Sequence, residues 1–250
     1  MGAADVCSHK HNRLRLKSAA GRANCVATMI DRPRLEQIVR EAGRIAMSRW
    51  PGAGHALNSW DKGADSPVSD ADLEVDAFLR RELAALLPAA GWLSEESVDH
   101  PERLGKGLCW LVDPIDGTRG FIRGRTGWAV SVAQVSAARP LIGMLVAPAR
   151  GSGPGGEEWF GIAGQGSWRN GERLVASTRT QFARSRVPAD SLPPQDRDLV
   201  MVDKPNSIAL RIAMVAAGEA DLVATLRWGF EWDVAAAALI GLAPVQAADT

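Results

Sequence analysis

Leu35, Ile38, Val39, Ala42, Ile45 and Ala46 recur at helical spacing. The run predicts a first helix, opened by Asp31 as N-cap with Pro33 in its first turn, and closed near Trp50 by Pro51-Gly52. Residues 51 to 68, rich in Gly, Pro, Asp and Ser, read as a loop. A second helix is predicted from about Ala71 to Leu87, capped by Ser69 with Asp72 three residues on, and stopped by Pro88. The pattern then shortens. Trp92-Leu93 is a brief strand, and Leu108 to Val112 is almost wholly apolar, as a strand buried on both faces would be. Trp128, Val130 and Val132 alternate with smaller residues. Leu141 to Val146, Trp159 to Ala163, Leu199 to Val202 and Leu222-Val223 add further strands, with Asn170-Gly171 as a two-residue hairpin turn. Residues 181 to 198 read as a long connection. Asn206 or Ser207 caps a helix that reaches about Ala217, where Gly218 stops it, and a last helix begins at Asp233.

Helices and strands come in blocks, which predicts a layered α/β architecture with a substantial antiparallel sheet. No internal repeat and no clean linker divides the chain, so residues 29 to 250 form one domain, with about 29–180 and 181–250 as a larger and a smaller half. Lysine plus arginine match aspartate plus glutamate, 29 against 29, and this balance points to neither nucleic acid nor a membrane surface. No apolar run approaches the ~20 residues of a membrane span. Cys7, Cys25 and Cys109 form no paired motif, so neither a disulfide framework nor a zinc site is expected, and the cytoplasm is the natural compartment. Residues 1–28 carry five basic residues against Asp5, without apolar periodicity. They read as a disordered extension, a transit peptide, or the product of a start upstream of Met29.

The densest chemistry lies in Trp110-Leu111-Val112-Asp113-Pro114-Ile115-Asp116-Gly117-Thr118. A buried strand runs into two aspartates, whose carboxylates can face a cleft on a fixed backbone. Pro114 restricts the turn, and Gly117 permits close backbone approach to a ligand. A helix starting after Thr118 would place its amides as a phosphate cradle. Hard oxygen donors of this kind suit magnesium. A plain turn with capping aspartates has the same spelling. Glu95-Glu96 after a short strand, Asp72 in a capping position and Asp233 before an alanine-rich run are each ordinary taken singly.

Together they are not. K-x-x-D-S-P-V-S-x-A-D, S-E-E-S, W-L-V-D-P-I-D-G-T and E-W-D-V-A-A-A, in this order between about Leu35 and Ile240, resemble the inositol monophosphatase superfamily. That superfamily includes 3′(2′),5′-bisphosphate nucleotidases and fructose-1,6-bisphosphatases. The resemblance implies an αβαβα sandwich with mixed, largely antiparallel sheets, and phosphate monoester hydrolysis with two or three magnesium ions. By position, Glu95, Asp113 and the carbonyl of Ile115 would bind one ion, and Asp113, Asp116 and Asp233 a second. Glu96 and Asp72 would support the water, with Asp72 and Lys62 near a weaker third site. Thr118 would orient the attacking water, and the amides of Gly117 and Thr118 would hold the phosphate. Homodimers and lithium sensitivity are common in the family.

For the substrate, an inositol-binding glutamate expected seven residues before Asp233 is replaced by Leu226, with Arg227 beside it. Arg227 and Ser207 are the substrate-side candidates, and Arg227 favours a second phosphate. Arg123, Arg125 and Arg227 read equally well as surface residues. The expectation is adenosine 3′,5′-bisphosphate cleaved to AMP, with inositol 1-phosphate as alternative. Gly120 and Lys204-Pro205-Asn206 depart from the family pattern. The segment after the last helix lacks the usual E-A-G-G-like turn, which leaves a catalytically impaired metal- or nucleotide-binding homologue as a further alternative.

Overall fold

The computed structural model describes residues 30–63, 66–137, 139–225 and 229–242. The first helix, α1 (Arg32–Met47), starts where predicted, with the Asp31 carboxylate accepting from the Arg34 amide at 3.0 Å. Helix α2 (Asp70–Leu86) opens on a capping box in which Asp72 accepts from the Ser69 amide at 2.8 Å. Both helices lay their apolar stripes on one face of a seven-stranded sheet.

That sheet runs in chain order: β3 (Gly91–Ser94), β4 (Cys109–Asp116), β5 (Ala129–Ser136), β6 (Arg139–Ala147), β7 (Glu157–Ile162), β8 (Gly166–Arg169) and β9 (Glu172–Arg173). Only the β3–β4 pairing is parallel. Alternation sorts the residues of β4 between two cores: Trp110 and Val112 join α1 and α2, while Cys109 and Leu111 join α4 (Ile208–Ala216) and α5 (Glu231–Leu242) on the opposite face. Burial on both faces explains why this stretch shows no polar alternation. Gly143 of β6 lets α5 sit close, since a Cβ there would fall 2.6 Å from the Ala236 carbonyl oxygen.

Three expectations change. Residues 51 to 68 are more than a loop: β1 (Ser59–Asp61), which is exposed, and β2 (Pro67–Ser69) form an antiparallel hairpin whose strands are too short to show periodicity. The long connection holds β10 (Arg186–Pro188), which pairs in parallel with β11 (Val200–Val202). Leu222-Val223 is not a strand; the amides of Asp221 and Leu222 instead donate to the Arg186 carbonyl, closing α4 against β10. The layered α/β order with a mostly antiparallel sheet stands as expected. The readings made for residues 1–28 and for the last eight residues lie outside the described residues.

Candidate metal centre

The site forms where β3 and β4 end side by side. Ladder pairing stops at Ser94 and Val112, and the Glu95 amide still donates to the Val112 carbonyl at 3.2 Å. β4 continues through the Asp-Pro-Ile-Asp segment but breaks register between Asp113 and Asp116. Pro114 cannot donate to a ladder, so the bulge falls there, and the two aspartates project at different angles. Asp113 lies opposite Ser131 of β5, whose hydroxyl donates to the Trp232 carbonyl at 3.3 Å. That bond ties the first turn of α5 to the sheet beside Asp113 and delivers Asp233 from the far end of the chain.

Glu95, Asp113 and Asp233 consequently offer carboxylate oxygens that all lie within 4.8 Å of one another. Asp113 is 2% exposed. Burial first, then repulsion from Glu95, Asp116 and Asp233, holds its carboxyl well above the usual range. Burial likewise lifts Glu95 to about 7, with the Lys62 ammonium pulling against it and Glu96 and Asp233 adding to it. Asp233 is raised by burial, opposed by the Phe230 amide, which donates to it at 2.8 Å. Three carboxylates gathered so tightly repel unless a cation lies between them, and an all-oxygen donor set suits a hard divalent ion.

Asp116 is not one of this trio. Its carboxylate turns to the start of α4, accepting from the Ser207 hydroxyl, the Ala209 amide at 2.7 Å and the Ile208 amide at 3.3 Å. Burial raises it to about 6 against these bonds. Ser207, expected on the substrate side, is engaged internally: the same hydroxyl accepts from the Leu210 amide at 2.9 Å as the cap of α4. The sequence marked Ser207 as a cap without showing what else the hydroxyl touches.

Thr118 opens a five-residue helix, α3 (Thr118–Ile122), behind Gly117. Gly117 has φ 99°, and a Cβ there would meet the Ser207 amide nitrogen at 2.9 Å, so only glycine fits. The Thr118 hydroxyl lies 2.9 Å from the Ile115 carbonyl and 3.2 Å from Asp72. Burial raises Asp72 to about 6, against hydrogen bonds from Ser69 and with Glu96 adding repulsion. Lys62, beyond β1, donates to both oxygens of Glu96 at 2.7 and 2.9 Å and stands 3.8 Å from Glu95. Burial pulls its ammonium down, but Glu96, Glu95 and Asp72 together lift it above the ordinary lysine value. Lys62, Asp72, Glu95, Glu96, Asp113, Ile115, Thr118 and Asp233 thus share one neighbourhood, with Asp116, Gly117 and Ser207 on its α4 side. Arg227 and Leu226 lie outside the described residues.

Two departures from the family pattern meet in space. A Cβ on Gly120 would fall 2.9 Å from the Cβ of Asn206, so a side chain at 120 and Asn206 could not coexist unmoved. Sequence reading also missed Asp76. It sits one turn after Asp72 on the face of α2 that buries Val75 and Leu79, and a carboxylate on a core-facing stripe was the available signal. A cavity of about 870 Å³ lies elsewhere, between Gly124–Gly127 and Lys204–Asn206, and none of the acidic trio lines it.

The profile of the inositol monophosphatase family matches residues 32–243. The chain belongs to this family. It is 31% identical to a 3′(2′),5′-bisphosphate nucleotidase CysQ of Aggregatibacter actinomycetemcomitans, over 72% of this chain and 70% of that one. It is 29% identical to a histidinol-phosphatase of Chlorobaculum parvum, of whose length it spans only 55%, over 60% of its own. Among solved structures, the SuhB protein of Bartonella henselae matches with TM-score 0.71 and 25% identity, over 85% of this chain and 84% of that one. An inositol monophosphatase of Thermotoga maritima, at TM-score 0.70 and 24% identity over 82% and 79% of the two chains, supports the fold alone. The chain is a phosphoric monoester hydrolase of the inositol monophosphatase family, and no helix among its described residues is long and apolar enough to cross a membrane.

Proposed function

We propose that the protein is a magnesium-dependent phosphatase acting on a small phosphate monoester, and that adenosine 3′,5′-bisphosphate is a better substrate than inositol 1-phosphate. The observation that carries the first part is the convergence of Glu95, Asp113 and Asp233 within 4.8 Å, with every one of their pKa values pushed upward. A bound divalent cation supplies positive charge for phosphate oxygens and makes a nearby water more acidic.

The chain's own residues divide the remaining work. Glu95, Asp113 and the Ile115 carbonyl would hold one ion; Asp113 and Asp233 would hold a second, joined by Asp116 through its less engaged Oδ1 while its Oδ2 stays bonded to the start of α4; Lys62 and Asp72 would border a third position. The Thr118 hydroxyl, between Asp72 and the Ile115 carbonyl, would orient the water; as the water oxygen bonds to phosphorus and the bond to the leaving-group oxygen breaks, the water's proton would pass to Asp72 or Glu96 and the leaving alkoxide would take a proton from solvent. The Gly117 and Thr118 amides hold the phosphate. The smaller half after residue 181 serves the substrate side: the start of α4 fixes Asp116, and Arg227 meets a second phosphate.

For the leaving group, the support is aromatic. Phe230 is 60% exposed, and its ring stacks on Trp232 at 4.8 Å and 15°. Its amide holds Asp233, so the stack stands next to the acidic trio. A flat heterocycle could extend that stack, whereas an inositol ring could not. The nucleotidase and the histidinol-phosphatase among the relatives bear names of substrates with such a ring. Side-by-side kcat/KM with magnesium for adenosine 3′,5′-bisphosphate, histidinol phosphate and inositol 1-phosphate decides the matter. The nucleotide is expected first, and Phe230→Leu should cut its kcat/KM about threefold to tenfold while sparing inositol 1-phosphate. Faster turnover of inositol 1-phosphate would overturn the preference. Metal binding with no phosphate released from any of the three would leave a binding protein.

A further inference from the structure

Asp76 lies on α2, buried and 7% exposed, one turn beyond Asp72. It is no member of the acidic trio, yet its two oxygens reach the loop that supplies the trio's first member. The Ser94 hydroxyl donates to Asp76 Oδ1, and the Ser97 hydroxyl donates to Oδ2 at 2.6 Å. Those serines bracket Glu95 and Glu96. Each anchor is braced in turn: the Glu96 amide donates to Ser94 Oγ at 3.4 Å, and the Trp92 indole donates to Ser97 Oγ at 3.3 Å. A carboxylate accepts only, and each hydroxyl has one proton to give, so the loop is fixed at two points with a defined direction at each. Between those points, Glu95 is left to face Asp113 and Asp233, and Glu96 to meet Lys62. Helix α2 therefore presents two buried carboxylates a turn apart, Asp72 toward Thr118 and Asp76 toward the Glu95 loop.

We propose that Asp76 is a positioning residue for divalent-cation binding, acting through Ser94 and Ser97 on the orientation of Glu95. The proposal rests on the reading of Glu95, Asp113 and Asp233 as the cation site. Partners that orient a ligand in this way typically change metal affinity by about 10- to 100-fold when removed. The inference concerns binding, so the readout is binding: isothermal calorimetry with magnesium, or electron paramagnetic resonance with manganese, on the full chain well below its Tm. In Asp76→Ala the cation Kd should rise by roughly tenfold or more. Asp76→Asn keeps the shape and one acceptor, and should fall between that variant and the parent. Ser97→Ala removes one anchor without touching the helix, and should shift Kd in the same direction by less. This variant keeps the question open to measurement should Asp76→Ala not fold. At saturating metal, KM for the phosphate substrate should stay near the parent value, which separates lost metal affinity from a loosened core. Parent-like cation affinity in Asp76→Asn and Ser97→Ala, with or without a lower Tm, overturns the proposal and leaves the cation site standing. A parent protein that binds neither ion overturns the site itself.

Discussion

Two charged clusters in this protein have opposite electrostatics. Asp221, just beyond α4, accepts from the Arg186 amide at 2.8 Å and from both arms of its guanidinium at 2.8 and 3.0 Å, with Arg179 3.5 Å away. These contacts, the Arg186 side chain first, hold its carboxyl far below the ordinary range. Glu95, Asp113 and Asp233 crowd together, with Lys62 3.8 Å from Glu95 as the nearby cation among the described residues, and are all pushed upward. The residue types are the same and the surroundings differ. The first cluster is satisfied by the chain itself and ties β10 to the end of α4. The second repels itself and would be relieved by a bound cation, which is how a candidate binding site differs from a structural ion pair.

The comparison breaks most visibly by mutation. Asp113→Asn should lower magnesium-dependent phosphate release by roughly a thousandfold, as loss of a group organised around developing charge does. Measured by thermal denaturation in chelator, the same variant should match or exceed the parent, because a buried repelling charge has gone. Activity close to the parent would place the metals elsewhere.

Titration sharpens the contrast. For Glu95 at about 7, and Asp72 and Asp116 at about 6, the folded protein holds more protons than the unfolded chain between the ordinary carboxylate values and pH 7. Stability of the metal-free protein should therefore fall as pH rises from about 4.5 to 7.5, by roughly 2–4 kcal/mol, or several degrees in Tm. Saturating magnesium should flatten or reverse the slope. Asp221 works the other way: its contribution is complete above the usual aspartate value and is lost as pH falls below it. A metal-free Tm that climbs steadily to pH 7.5 would mean that the acidic cluster is not strained.

The smallest effect belongs to Asp221→Asn. Its guanidinium partner is partly exposed, so the expected loss is about 1–3 kcal/mol, read as a lower Tm, with kcat per folded molecule unchanged. A fall in kcat at constant fold would join this cluster to the active site.

How much of this was legible beforehand differs from element to element. α1 and α2 were readable because each buries a helical stripe behind a side-chain cap. The long central strands were readable because both faces are covered. The hairpin of β1 and β2, and the short strand β10, were not, since three-residue strands carry too few positions to show a period. Among site residues, Asp113 stood out through its local motif, and Glu95 and Asp233 only through the order of motifs that resembles the family. Asp76 did not, because a single acid among apolar residues of α2 acquires meaning only from the two serines folded against it.

By itself, then, the sequence determined the family, the layered α/β class and the set of acids, because periodicity, capping and a strand running into Asp-Pro-Ile-Asp are local properties. Tertiary structure decided which acids meet. Glu95, Asp113 and Asp233 converge because the β3 and β4 ends are neighbours and Ser131 ties Trp232 to the sheet. Asp116 turns instead to the first amides of α4. Those outcomes depend on contacts between residues roughly a hundred positions apart, and no local pattern encodes which face of a distant helix will arrive there.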